Sequence, residues 1–148
     1  MIIPDINLLI YAYNSSVKPH REAALWWERC LSGSEKIGLI YPVLLGFLRI
    51  VTYKRILPNP MSLSEAVSCI ASWQQRSITV TLSPGPQYLD DTVRLLTDVG
   101  SAGGNLVTAA QIGAYALHYR AVVHTADYDF LRFREVSTYF PLREGQPT

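Results

Sequence analysis

Short apolar runs rich in β-branched residues alternate with helical patterns along this whole chain, and that alternation restricts its architecture more than any other feature. Residues 1–4 read as a strand, and Asn7 to Tyr13 read as a helix. A second helix is predicted over residues 19–32, because Ala23, Trp27, Cys30 and Leu31 recur at helical spacing and Gly33 stops it. Residues 36–41 read as the next strand, and Pro42 opens a helix to about residue 54. Ser62 or Ser64 opens another helix, with Ala66, Val67, Ile70 and Ala71 as its buried stripe. Residues 78–82 alternate as a strand should. Pro84-Gly85-Pro86 then turns into a helix with Leu89, Val93 and Leu96 inward. Asn105 is the expected N-cap of a helix to about Tyr119, residues 121–125 form a late strand, and residues 136–139 form a short edge strand. Strands alternating with helices predict an α/β fold of three layers, with a central, mainly parallel sheet of four or five strands between helices.

Parallel strands feeding crossover helices bring their carboxyl ends to one crevice, so acids at those ends are the first candidates for chemistry. Asp5 closes the first strand. Asp127 and Asp129 follow the late strand, more than a hundred residues further on. Converging carboxylates repel, and a hard divalent cation relieves that repulsion. Taken alone, Asp5 reads more readily as a helix cap, and Thr125 to Phe130 as a solvated Asp-rich turn. Together they point to a cation site, with Asn7 placed to orient Asp5 and Phe130 anchoring the later turn. Arg49, at the end of its helix, is suited to a phosphate, a partner protein or a structural ion pair. Gly103-Gly104 before a helix offers free backbone N–H groups but lacks the lysine of a P-loop.

Composition excludes little else. The 148 residues fit one domain, expected to span 1–142 with a tail at 143–148, and 49% of them are hydrophobic. Thirteen Lys and Arg stand against twelve Asp and Glu, which argues against nucleic-acid binding through bulk positive charge. Apolar stretches are broken well before the ~18 residues of a membrane helix, and no signal peptide is visible, so a cytoplasmic protein is expected. Cys30, Cys69 and the three histidines lack metal-ligand spacing. Cys30 and Cys69 read as buried free thiols.

Read in order, the segments resemble the PIN-domain ribonucleases, and among them the VapC toxins of toxin–antitoxin modules. The resemblance runs from Asp5-Ile6-Asn7-Leu8-Leu9-Ile10-Tyr11-Ala12 through Phe47-Leu48-Arg49-Ile50-Val51-Thr52 and Gly104-Asn105-Leu106-Val107-Thr108. It continues through Thr125-Ala126-Asp127-Tyr128-Asp129-Phe130 to Phe140-Pro141-Leu142. It implies a PIN-like fold and an Mg²⁺-dependent endoribonuclease activity, with Mn²⁺ as a substitute. It further implies an RNA substrate, a VapB-type antitoxin and a toxin homodimer. Asp5 and Asp127 match metal-site carboxylates of the family, and Asp129 matches a further acid beside them.

Two positions depart from that pattern. Gly46 stands where many relatives place a Glu, and Ala109 stands where Asn-Leu-Val-Thr-Asp-Ala would supply a metal-binding Asp. A natural pseudo-enzyme and a deliberate exchange both produce such a chain; an isolated loss inside a matching motif favours the second. The expectation is therefore a nuclease impaired at position 109. Its rival is a catalytically inactive PIN-like module that binds an antitoxin or RNA. A receiver-type phosphoacceptor ranks low, since it wants paired acids after the first strand and a late Lys, and no Lys follows Lys54.

Overall fold

A computed structural model describes residues 1–143. The expected tail therefore lies, beyond Arg143, outside the described residues. Five strands form one parallel sheet: β1 (Ile2–Pro4), β2 (Ile37–Ile40), β3 (Thr79–Leu82), β4 (Val122–His124) and β5 (Thr138–Tyr139). The helices are α1 (Ile6–Tyr13), α2 (His20–Ser32), α3 (Tyr41–Val51), α4 (Leu63–Gln74), α5 (Tyr88–Asp98) and α6 (Leu106–Tyr119). Two short 3-10 turns, Tyr128–Arg132 and Pro141–Arg143, flank β5.

The strand order is β3-β2-β1-β4-β5. Connections from β1 to β2 and from β2 to β3 step one way, and the β3-to-β4 connection returns across the sheet. Right-handed crossovers then put α1–α4 on one face and α5–α6 on the other, completing three layers. Trp27, Phe47 and Tyr13 meet Trp73 within the first layer, at ring centroid distances of 5.6, 4.9 and 5.7 Å. In the second layer Gly113 lets α6 approach closely, since a Cβ there would stand 3.0 Å from Leu95 Cδ1 and 3.2 Å from Val136 Cγ2. Reversal of the strand order between β1 and β4 creates the switch-point crevice of an open α/β sheet.

Three local expectations are corrected. On α5 the buried residues are Thr92 and Leu95, whereas Leu89 is 73% exposed and Val93 52%. The two stripes differ by one helical step, and close packing on α6 selects the one facing Gly113. On α4, Val67 is exposed, and Trp73 joins Ala66 as the buried anchor. Asn105 precedes α6 but is itself helical in conformation and makes no capping bond; Gly103 and Gly104, at φ of 95° and 63°, turn the chain into the helix. Of the two serines offered for α4, Ser62 is the cap, paired reciprocally with Glu65. Cys30 and Cys69 are free and only half-buried.

Candidate active site

Register builds the site. Pro4 pairs with His124 across β1 and β4, so the chain positions that follow, Asp5 and Thr125, leave the sheet side by side. Asp5 N–H donates to the His124 carbonyl at 2.9 Å, and Thr125 N–H to the Tyr139 carbonyl at 3.0 Å. Asp5 then caps α1, its Oδ1 accepting from Ile6 N–H at 2.7 Å. Thr125 Oγ1 donates to Asp5 Oδ2 at 2.7 Å and accepts from Asp127 N–H at 2.9 Å. One buried hydroxyl thus orients the first acid and the turn that carries the second. Asp127 Oδ1 in turn accepts from Asp129 N–H at 2.9 Å.

Asp5 is buried, and loss of water around its carboxyl raises its pKa from 3.8 to about 6. Hydrogen bonds from Thr125 and Ile6 pull it down, and the neighbouring charge of Asp127 adds to the rise. The two acids open on one cavity of about 460 Å³, whose lining also includes Asn7, Arg49, Gly104, Thr108 and Ala109. The chain therefore brings together Asp5, Asp127, Asn7 and Arg49, with Ala109 facing the same space from α6. Asp129 is exposed and lies outside that lining; its backbone rather than its carboxylate supports Asp127. Phe130 is buried and anchors the turn, its ring 6.2 Å from that of Phe133.

Sequence reasoning does not single out Thr125. Its signal is positional, the residue directly after the last strand and two before an Asp, and it gains meaning only once the β1–β4 register is known. Gly46 is explained by its neighbour, because a Cβ at that position would stand 2.6 Å from Ile6 Cδ1. A Glu there requires Ile6 to swing aside. A larger cavity of about 580 Å³ beside the end of α5 is lined by Asp98, Arg132 and Glu135. Its acids are occupied, since Arg94 pairs with Glu135, Asp91 and Asp98.

The donor set suits a small hard cation. Asp5 and Asp127 could supply oxygen ligands, and their mutual repulsion in a desolvated crevice is what a cation would relieve. Mg²⁺ keeps several waters and is satisfied by one or two carboxylates. Among the described residues no group of three or more His, Cys, Asp or Glu converges.

A parallel sheet ordered β3-β2-β1-β4-β5, with acids at its switch point and helices on both faces, defines the PIN-domain class. Structural likeness agrees. VapBC2 from Rickettsia felis, solved bound to a DNA fragment from its promoter, matches with a TM-score of 0.67 at 17% identity, over 94% of this chain and 98% of that one. VapC20 of Mycobacterium tuberculosis, described as a sarcin-ricin loop cleaving toxin, matches with a TM-score of 0.67 at 13% identity, over 88% and 93%. No protein-family profile matches the chain. Full-length relatives do. Ribonuclease VapC33 of M. tuberculosis is 42% identical over 144 residues, covering 97% of this chain and all of that protein. Ribonuclease VapC37 of the same organism is 35% identical over 136 residues, covering 92% and 94%. The chain belongs to the VapC ribonuclease family of PIN-domain proteins.

Proposed function

We infer that this protein is built as a metal-dependent endoribonuclease toxin, hydrolysing RNA phosphodiester bonds, and that Ala109 leaves it impaired. The observation that carries this reading is the meeting of Asp5 and Asp127 on one cavity with Ala109 and Arg49. Mg²⁺, or Mn²⁺ in its place, when bound activates water and neutralises charge on the phosphoryl oxygens. Asp5 and Asp127 would hold it. Thr125 keeps Asp5 turned toward the cavity by occupying one lone pair of Oδ2, while Ile6 N–H occupies Oδ1. Arg49 is exposed at the cavity wall and makes no ion pair among the described residues, so its guanidinium is available to a phosphate or to an antitoxin. Asn7 offers a neutral donor to the same ligand. Asp129, outside the cavity, would support the site by its backbone N–H on Asp127.

The test is cleavage of RNA with Mg²⁺ and with EDTA. Ala109→Asp is expected to restore metal-dependent hydrolysis, and Asp5→Asn in that restored protein to abolish it. Equal cleavage with Ala and Asp at 109 would place the site elsewhere.

As partners we infer a VapB-type antitoxin and a second copy of the chain, in the cytoplasm. The neighbouring solved structures that are toxin–antitoxin assemblies support the first. No helix among the described residues is long and apolar enough to cross a membrane, which agrees with the last. A second reading, a binding module without catalysis, is favoured by the absence of a carboxylate at both 46 and 109. Capture of an antitoxin with no cleavage even after Ala109→Asp would establish it.

A further inference from the structure

A second depression adjoins the acidic cavity. It encloses about 250 Å³ between α3 and α6 and shares Ile6, Arg49 and Thr108 with its neighbour. Ile6, Leu45 and the bare backbone of Gly46 make an apolar floor, and Gln111 and Thr108 stand on the α6 wall. Ile6 packs over the bare backbone of Gly46, and a side chain at 46 would have to displace it, since a Cβ there would stand 2.6 Å from Ile6 Cδ1. Gln111 is held in place, since its Nε2 donates to Tyr88 Oη at 3.0 Å, which leaves Oε1 open as an acceptor.

We propose that this depression is a base-recognition subsite, receiving the nucleobase next to the phosphate that Arg49, and a cation at Asp5 and Asp127, would hold. The inference rests on the ribonuclease reading and deepens it. Phosphate and base of one nucleotide are covalently tethered, so two contiguous cavities sharing a cationic residue match their separate needs. Single-stranded RNA is read by splaying bases out against flat surfaces and bonding to their edges. An apolar floor takes the face of the base. The fixed carbonyl of Gln111 takes an N–H donor on that edge, an exocyclic amine or a ring N–H, so the bases whose donor meets it are favoured over the others. Arg49, shared between the cavities, contributes affinity without sequence preference.

Selection from a random single-stranded RNA pool tests this on the chain with its Ala109. The expected result is one position enriched for a subset of the four bases. Gln111→Leu should reduce that enrichment roughly five- to tenfold while retaining overall binding. Arg49→Ala should weaken all sequences alike. Gly46→Val closes the depression from α3 and should erase the same preference, which guards against a disturbed α5–α6 contact in the Gln111 variant. Circular dichroism melting identifies the folded variants.

A parent without positional preference overturns the subsite, as does a preference unchanged by both variants. That second outcome is also what a protein segment or a second chain seated in the depression would give. If the Ala109→Asp protein cleaves RNA but shows no such preference, the subsite falls and the nuclease reading stands. If the parent binds no RNA and the Ala109→Asp protein cleaves none, both fall.

Discussion

Two polar groups at the carboxyl end of the β1–β4 pair, Asp5 buried and His124 half-buried, meet the same physical pressure with opposite results. On the α1–α4 side, His124 accepts from Trp26 Nε1 at 3.0 Å and lies 4.9 Å from the Tyr139 ring. Burial pushes its pKa down to about 4, so at neutral pH it is an uncharged, satisfied member of an aromatic layer. At the crevice, burial pushes Asp5 up to about 6, and at neutral pH the carboxyl still ionises, with Asp127 nearby. Desolvation is the largest cause in both cases. His124 escapes its cost by losing charge, whereas Asp5 carries the cost. Stored electrostatic strain of this kind marks a functional group, though structural ion pairs also perturb titration.

The sharpest way to break this comparison is to remove the anchor of the satisfied side. Trp73 is fully buried against Trp27, Phe47 and Tyr13. Trp73→Ala is expected to cost about 3–5 kcal/mol in urea unfolding, without any change in charge.

Asp5→Asn should do the reverse. Between about pH 4 and 6 the folded chain retains a proton on Asp5 that the unfolded chain has released, so this group lowers stability as pH rises through that window. The full penalty, on the order of 2–3 kcal/mol, is present at neutral pH in EDTA, and Asn caps a helix as well as Asp. Asp5→Asn is therefore expected to raise the urea midpoint at pH 7. His124 works in the opposite sense. Between about pH 4 and 6.5 the unfolded chain binds a proton that the folded chain refuses, so this group adds stability as pH rises. The parent should show a nearly flat profile over the shared window, and Asp5→Asn should uncover the rising one. An unchanged midpoint at pH 7 would show that Asp5 carries no such penalty.

Ala109→Asp adds a third carboxylate to the strained side. Calorimetric titration with Mn²⁺ should show affinity higher by roughly 10–100-fold, the span measured even for outer-shell changes at metal sites. The smallest effect belongs far from either region. Ser62→Ala removes one half of the capping box on α4 and should cost about 1 kcal/mol, with no change in cation affinity.

Much of this was legible in the residues. Period-two runs and helical stripes located all five strands and six α-helices among the described residues, because each element also carries its own punctuation, such as Gly33 or the cap at Ser62. Asp5 and Asp127 were legible as candidates because each stands shortly after a strand. The inward face of α5 was not, since Leu89-Val93-Leu96 is the more apolar stripe and only the approach of α6 at Gly113 selects the other. Trp26 and Thr125 escaped notice for a related reason. Their partners lie 98 and 120 residues away, and no local pattern encodes a contact at that separation.

That last distance has a consequence for synthesis. The hydroxyl that orients the first carboxylate, and the second carboxylate itself, leave the ribosome only after most of the polypeptide has emerged. Strands β1, β2 and β3 can zip together earlier, but β4, the strand beside β1 on its other flank, follows all three in the chain. A nascent copy therefore lacks the paired acids of the crevice until Asp127 has emerged.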